Sequence, residues 1–132
     1  MLTENQVVAA VAAYLIKQGC TIVSCCGTGE RGVDIVAERE GKRLLVEAKG
    51  RTSAKEWTQR FGKEFSKGQK FDHVGKAFLT AVMVASKGEA QAAIALPDDA
   101  GHRELVEAIR PALRTLAITA YLVRPDFSIE TI

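Results

Sequence analysis

The sequence has 132 residues, enough to bury one hydrophobic core but too few for a catalytic domain plus a separate recognition domain. We therefore expect a single domain over residues 1–132, and hydrophobic and charged contents of 47% and 26% exclude a disordered chain. The longest apolar run, residues 77–85, is too short to cross a bilayer, and the formal net charge of +2 does not by itself indicate nucleic acid.

The first residues, Met-Leu-Thr-Glu-Asn-Gln, lack a basic start followed by an apolar core. We therefore expect no secretory signal, no membrane partner and a cytoplasmic location. Cys20, Cys25 and Cys26 fall close together without C-x-x-C spacing. We interpret them as buried strand residues in a reducing compartment.

The first half of the chain predicts a helix followed by three strands. Thr3 and Gln6 form a capping box, and apolar residues then recur at helical spacing, which predicts a helix over about residues 4–18. Residues 21–25 are a short β-rich run that leads into a glycine-rich loop. Residues 32–38 and 43–49 flank a tight Glu40-Gly41 turn and predict a β-hairpin.

The second half predicts a long loop, two helices and further strands. Residues 50–66 are polar and basic, and Ser66 with Gln69 opens a helix to about residue 86. We expect strands at 91–96 and 118–123, a helix at 100–116 interrupted or kinked at Pro111, and a short edge strand at 127–129. The helix over 66–86 should bury Phe71, Val74, Phe78, Val82 and Ala85. The order αβββαβαβ predicts an α/β fold, a mixed sheet flanked by helices.

Charged residues stand at positions of the hairpin strands that should be apolar. Asp34 interrupts the first strand, and Glu47 and Lys49 interrupt the second. Because side chains alternate along a strand, Glu47 and Lys49 share one face. Counting back from the turn places Asp34 opposite Glu47 on that face, with β-carbons roughly 4.5–5.5 Å apart.

Two opposed carboxylates repel each other, and partial burial increases the repulsion. A hard cation between them removes the conflict, so the pattern predicts Mg²⁺ bound by Asp34, Glu47 and the backbone carbonyl of Ala48. Lys49 is then placed to hold or deprotonate an attacking water. The alternative is a salt-bridged triplet on a solvent-facing sheet surface.

The segment Gly32-Val33-Asp34, followed by Val46-Glu47-Ala48-Lys49, resembles the motif of the PD-(D/E)XK nuclease superfamily, which includes type II restriction enzymes and archaeal Holliday junction resolvases. The element order that matches the core of these proteins covers roughly residues 4–96. The resemblance implies a restriction-endonuclease-like three-layer fold and metal-dependent hydrolysis, in which Asp34 and Glu47 bind the metal and Lys49 serves the water. Val33 departs from the pattern, since many members have proline there.

The resemblance also implies two further site residues. Glu4 matches a helix carboxylate that many members place near the metal. It is equally explained as an acidic residue in the first turn of a helix, where it interacts favourably with the helix dipole. Gln69 matches a polar residue that some resolvase-like members use to hold the site or substrate. Its alternative role is the capping-box partner of Ser66.

A basic segment begins at Lys49. Residues 49–76 contain eight Lys or Arg and three acidic residues, a local charge of +5. The segment is either a solvated loop or a nucleic-acid-binding surface, and Trp57 within it either stacks on a base or packs on its own domain. The predicted phosphate contacts are Arg51, Lys55, Arg60, Lys63, Lys67 and Lys70.

These observations favour an endonuclease that hydrolyses phosphodiester bonds in duplex or branched DNA with Mg²⁺, or Mn²⁺ in its place. Because duplex cleavage needs two sites, we expect a homodimer. One alternative is a catalytically silent nucleic-acid-binding module of the same fold. Another is an interaction protein without a nucleic acid partner. DNA versus RNA, cleavage preference and pathway stay open.

Overall fold

The computed structural model describes residues 2–25, 33–50 and 66–132 as a six-stranded sheet with one helix on one face and two on the other. The expected α/β architecture is confirmed. The elements in chain order are α1 (Glu4–Lys17), β1 (Thr21–Cys25), β2 (Ile35–Arg39), β3 (Lys42–Ala48), α2 (Lys67–Lys87), β4 (Gln91–Pro97), α3 (Ala100–Thr115), β5 (Thr119–Val123) and β6 (Ile129–Thr131).

The sheet is mixed, and its strands follow chain order from edge to edge. Strands β1, β2 and β3 pair antiparallel, β3, β4 and β5 pair parallel, and β6 returns antiparallel to β5. The carboxyl ends of β3 and β4 therefore meet at one edge, where β2 begins. In sheets of this kind ligands bind beyond the carboxyl ends of the parallel strands.

Helix α1 covers one face of the sheet. Its predicted capping box is present, with the Thr3 backbone N–H donating to Gln6 Oε1 at 2.8 Å and the Gln6 N–H donating to Thr3 Oγ1 at 3.2 Å. Its buried apolar side chains pack on alternate residues of the strands beneath. The fully buried members include Val7, Val11, Ile35, Ala37, Val46 and Ala95.

Helices α2 and α3 cover the opposite face. The prediction of the α2 core stripe is partly wrong, because Phe71 is 66% exposed while Val74, Ala77 and Ala81 are buried. The small alanine side chains let the helix lie close to the sheet, which turns Phe71 outward. The other predicted members, Phe78, Val82 and Ala85, are partly buried.

Two other expectations also need correction. Helix α3 runs through Pro111 from Ala100 to Thr115, so proline does not interrupt it. Cys25 is exposed and Cys20 half-buried, because β1 is an edge strand with little cover; Cys26 lies outside the described residues. Among the helices that the structure describes, none has both the length and the apolar composition that crossing a membrane requires.

The hairpin of β2 and β3 has the predicted register. Its turn residues, Glu40 and Gly41, have φ angles of 54° and 78°, and positive φ at both central positions suits a tight hairpin turn. Arg39 pairs with Lys42, and Ile35 pairs with Val46. The paired register ends at Ile35 and Val46, and Asp34, just before β2, donates its backbone N–H to the Val46 carbonyl, one residue out of that register, so the predicted pairing of Asp34 with Glu47 is not part of the ladder.

Candidate active site at the carboxyl edge of the sheet

Asp34 lies just before β2 and is held by the neighbouring strand. Its backbone N–H donates to the Val46 carbonyl at 3.1 Å, and its Oδ2 accepts from the Ala48 N–H at 2.8 Å. Its side chain is buried. A carboxylate that accepts a backbone N–H inside the protein has a fixed orientation and stays compatible with charge.

Glu47 faces Asp34 across the hairpin. Burial raises the pKa of Glu47 to about 7, assisted by the negative charge of Asp34, a hydrogen bond with the Asp34 carboxylate and the charge of Glu4, and opposed by Lys49. The Asp34 carboxylate is therefore close enough to Glu47 to oppose its ionisation. Their proximity is unfavourable when both are ionised.

Lys49 lies one residue beyond β3 on the same face as Glu47. Its backbone N–H donates to the Ala95 carbonyl at 3.0 Å, which fixes the end of the strand against β4. Its Nζ is 3.9 Å from Glu47 Oε1, and the two side chains are only 22% and 15% exposed. With Asp34 buried as well, these three residues do not form the solvent-facing triplet that the sequence left open.

The start of α1 approaches the site at Gly50. A β-carbon at position 50 would overlap the Glu4 backbone nitrogen and stand 2.8 Å from the Thr3 carbonyl carbon. Because glycine allows this approach, Glu4 lies close enough for its charge to raise the pKa of Glu47. Glu4 also occupies the first turn of α1, so both roles considered for it are compatible with its position.

The donor set of this edge fits a magnesium ion. Within the part of the chain that the structure describes, no three His, Cys, Asp or Glu side chains are grouped to hold a metal. Mg²⁺ does not need such a cage, since it commonly takes one or two carboxylates and completes its shell with water and substrate phosphate. Asp34 and Glu47 would supply two carboxylate ligands to such an ion.

Comparison with known proteins places this geometry in a structural context. No protein-family model and no curated protein matches the sequence. An XisH family protein from Nostoc punctiforme has a similar structure, with a TM-score of 0.57 and 16% identity over 98% of each chain. An fdxN element excision controlling factor protein from Anabaena variabilis gives a TM-score of 0.57 and 18% identity, over 96% of this chain and 95% of that one. This chain has the restriction-endonuclease-like fold.

Gln69 and Lys67 open α2 at the same edge of this restriction-endonuclease-like fold. Gln69 Oε1 accepts from the Ser66 N–H at 2.9 Å, and Ser66 Oγ accepts from the Gln69 N–H at 3.3 Å. The structure thus gives Gln69 the capping role that the sequence offered as its alternative. Lys67 is exposed as the first residue of the helix.

Lys70 is not on the surface, where the sequence predicted it. It is buried, and its Nζ forms an ion pair with Asp99 Oδ1 at 3.1 Å. Asp99 caps α3, so Lys70 joins the starts of the two helices, and its ammonium is directed to a carboxylate rather than to the surface. The other predicted nucleic-acid contacts lie outside the described residues: Arg51, Lys55, Trp57, Arg60 and Lys63.

The sequence did not single out the buried polar cluster around Asp99. Asp99 Oδ2 is 2.7 Å from His102 Nδ1, and Asp99 Oδ1 accepts the His102 backbone N–H at 3.0 Å. Burial opposes ionisation of Asp99, but the hydrogen bonds from His102 and Lys70 outweigh it and hold its pKa well below the usual range. The Asp-x-x-His spacing at a helix start was the available signal.

His73 is half-buried on α2. Burial lowers the pKa of His73, and the charges of Lys49 and Lys76 and the electrostatic effect of His102 lower it further, against the opposing charge of Asp72. His73 therefore lies within electrostatic reach of Lys49.

Proposed function

We propose that this protein is an Mg²⁺-dependent endonuclease that hydrolyses phosphodiester bonds in DNA. The observation that carries the proposal is the proximity of the buried Asp34 carboxylate to the partly buried Glu47, with Lys49 Nζ 3.9 Å from Glu47 Oε1. Two opposed acids in a buried site are costly unless a cation joins them. The restriction-endonuclease-like fold and the position at the carboxyl edge of parallel strands add support.

Each residue has a distinct role in the proposal. Asp34 and Glu47 would hold Mg²⁺, with the backbone carbonyl of Ala48 as a further ligand and Mn²⁺ as a substitute metal. When bound, the metal would act as a Lewis acid that polarises the phosphate. Lys49 holds or deprotonates the attacking water and stabilises the charge that develops on the phosphate. Glu4 lies close enough for its charge to raise the pKa of Glu47, and it would support the site from α1.

The reaction is a simple hydrolysis. The water oxygen bonds to phosphorus, the bond between phosphorus and one sugar oxygen breaks, and that oxygen leaves with a proton. Lys67, exposed at the start of α2, is positioned at the edge of the sheet that holds the site. With the predicted contacts Arg51, Lys55, Arg60 and Lys63 it would contact backbone phosphates without reading the base sequence.

The test is cleavage of supercoiled plasmid and of branched DNA by purified protein with Mg²⁺, Mn²⁺ or a chelator. We expect cutting only with metal, and a loss of about 100-fold or more in Lys49→Ala. Lys42→Ala is the matched control, since Lys42 is an exposed lysine at the other end of the same strand. No cutting by the wild type, or equal cutting by Lys49→Ala, would remove the proposal.

The same experiment separates the nuclease from a silent binding module. A module predicts salt-sensitive DNA retention that does not change with metal and no cutting under any condition. A protein with no nucleic acid partner predicts no retention at physiological salt.

A further inference from the structure

A cavity of about 520 Å³ lies under the last turn of α1, toward the turn of the β2–β3 hairpin. Its volume is within the range of about 300–1,000 Å³ that is typical of small-molecule sites. The cavity is separate from the proposed active site. Val46 and Ala48 belong to the core beneath α1, so Glu47 and Lys49 point to the other face of the sheet. The hairpin turn is also roughly 20 Å along β3 from Lys49.

Two positive side chains stand opposite each other at the hairpin end of the cavity, which we call its mouth. Arg39 and Lys42 are direct cross-strand partners, and both line the cavity. Side chains paired in this way lie on one face with β-carbons roughly 4.5–5.5 Å apart, and like charges there repel. Within the described part of the chain, neither side chain forms an ion pair or a hydrogen bond. An anion between them would remove the repulsion.

The neighbouring acids leave the mouth positive. Glu38 alternates with Arg39 along β2, so its side chain points to the opposite face, where it is 3.4 Å from Arg43. Glu40, in the turn, forms no ion pair with any residue in the described ranges. The Arg39 side chain instead extends along the end of α1, with its Nε 3.7 Å from the place that a β-carbon of Gly19 would take. Two cations and one acid therefore surround the mouth.

A buried hydroxyl group faces the interior end of the cavity. Tyr121 is 7% exposed, lines the cavity and packs edge to face on Tyr14, with ring centroids 5.9 Å apart. The Tyr14 hydroxyl is 3.3 Å from Thr131 Oγ1, whereas the Tyr121 hydroxyl has no hydrogen-bond partner among the residues that the structure describes. Burial, with smaller effects of Tyr14 and Cys20, raises the pKa of Tyr121 to about 12, so this hydroxyl keeps its proton. Buried donors are normally satisfied, and an acceptor on a ligand would satisfy this one.

The two ends of the cavity are too far apart for one simple anion. Tyr121 lies on β5, two strands from Lys42 on β3, which is roughly 10 Å across the sheet. Between the two ends the wall is partly apolar, with Leu15, Ala37 and Leu44. A ligand that reaches both ends therefore has an anionic group, an apolar body and an acceptor at its far end.

We propose that this cavity binds a free nucleoside monophosphate, with the phosphate between Arg39 and Lys42 and the base toward Tyr121. Guanidinium and ammonium groups form strong, charge-assisted hydrogen bonds with phosphate. A base supplies a flat apolar surface for the wall and a ring acceptor for the Tyr121 hydroxyl. The amide side chains of Gln18 and Gln91, which also line the cavity, offer donors and acceptors to its other polar groups. The inference goes beyond the proposed function and does not depend on catalysis.

Titration calorimetry with a chelator present tests the site. The probes are the adenosine, guanosine, cytidine and uridine 5′-monophosphates, the four nucleosides and inorganic phosphate. We expect at least one monophosphate to bind about tenfold or more tightly than its nucleoside and than phosphate, since each of these engages only one end. Arg39→Gln should raise the dissociation constant about tenfold, and Tyr121→Phe about fivefold. Arg114→Gln is the control, because Arg114 is an exposed arginine on α3, which packs on the other face of the sheet.

The inference is overturned if none of the monophosphates binds, if inorganic phosphate binds as tightly as the best of them, or if either Arg39→Gln or Tyr121→Phe keeps the wild-type affinity. Circular dichroism verifies folding, which we expect because Arg39 is exposed and phenylalanine keeps the ring of Tyr121. The cleavage assay contains no free nucleotide, so the two proposals fail separately. A protein that cuts DNA but binds no nucleotide rejects this site alone, and one that binds nucleotide but does not cut rejects the proposed function alone.

Discussion

Gly50, just beyond the end of β3, lies directly against the backbone of Glu4 at the start of α1. The backbone of α1 occupies the space that a β-carbon on residue 50 would need. This contact joins the two parts of the chain that supply Glu4, Glu47 and Lys49. Sequence reasoning did not single out Gly50, although it follows the predicted lysine immediately. The close approach explains how a first-turn acid on α1 comes within electrostatic reach of a carboxylate on β3.

Gly50→Ala should therefore destabilise the protein and disturb the site together. The added methyl group meets backbone atoms, which cannot rotate away as a side chain can. We therefore expect the free energy of unfolding, measured in urea, to fall by about 2 kcal/mol. Gly68→Ala is the control, because a β-carbon there meets no atom of the described residues within 4 Å and alanine in a helix should stabilise by about 0.4–1 kcal/mol. Equal stability of the two variants would contradict the contact.

Glu47→Gln should stabilise the metal-free protein. Because the pKa of Glu47 is raised from 4.5 to about 7, ionised Glu47 opposes folding. The cost of ionised Glu47 to folding is absent below pH 4.5, grows between pH 4.5 and pH 7 and is complete above pH 7. Above pH 7, removal of the charge should raise the free energy of unfolding by about 1 kcal/mol. Thermal unfolding at pH 8 and pH 5 measures the stability that Glu47→Gln gains over the wild type, and we expect the larger gain at pH 8.

Two controls accompany that experiment. Glu38→Gln should gain nothing, since Glu38 is an exposed residue of the same hairpin 3.4 Å from Arg43. Added Mg²⁺ should raise the melting temperature of the wild type but not of Glu47→Gln, because a ligand stabilises only the state that binds it. A gain for Glu47→Gln that is the same at both pH values would argue against buried like charges.

The parts of the site that the sequence predicted follow from local rules. Both capping boxes were visible as residue pairs three positions apart, and both are present. The turn at Glu40 and Gly41 fixed the hairpin register from Arg39 and Lys42 to Ile35 and Val46, which brings Asp34 near Glu47. The pairing depends only on residues within one hairpin, so it needed no knowledge of the rest of the fold.

The parts that were missed depend on contacts far apart in sequence. Lys70 resembled a surface lysine because the carboxylate that receives it, Asp99, is 29 residues away. That ion pair and the alanines beneath α2 set the rotation of the helix, which places His73 toward the interior and Phe71 toward solvent. Helical periodicity identifies a stripe but not its exact rotation when small and large apolar residues occur all round the helix.

Asp34→Asn and Asp34→Ala should separate metal binding from structure. Asparagine keeps a side-chain oxygen to accept the Ala48 N–H, which is now bonded to Asp34 Oδ2 at 2.8 Å, whereas alanine leaves that buried donor without an acceptor. The alanine variant should be less stable than the asparagine variant by about 1–3 kcal/mol. Titration calorimetry should show weakened Mg²⁺ binding in both, and equal stability would show that the hydrogen bond contributes little.

Asp99→Asn should make the protein less stable at neutral pH but lose its effect in acid. The pKa of Asp99 lies below its usual value of 3.8 in the folded protein, so ionised Asp99 stabilises the fold above about pH 4, and that stabilisation is lost as the pH falls through the folded-state value. Asparagine keeps an oxygen for the His102 backbone N–H but leaves the buried Lys70 without its carboxylate. We expect a loss of about 3 kcal/mol or more at pH 7.

Urea unfolding at pH 7 and pH 3 measures the difference in stability between Asp99→Asn and the wild type, which should shrink at pH 3. The control is Asp72→Asn, at an exposed site on α2, which should lose almost no stability at either pH. If Asp99→Asn costs as much at pH 3 as at pH 7, the packing of the side chain rather than its charge joins α2 to α3.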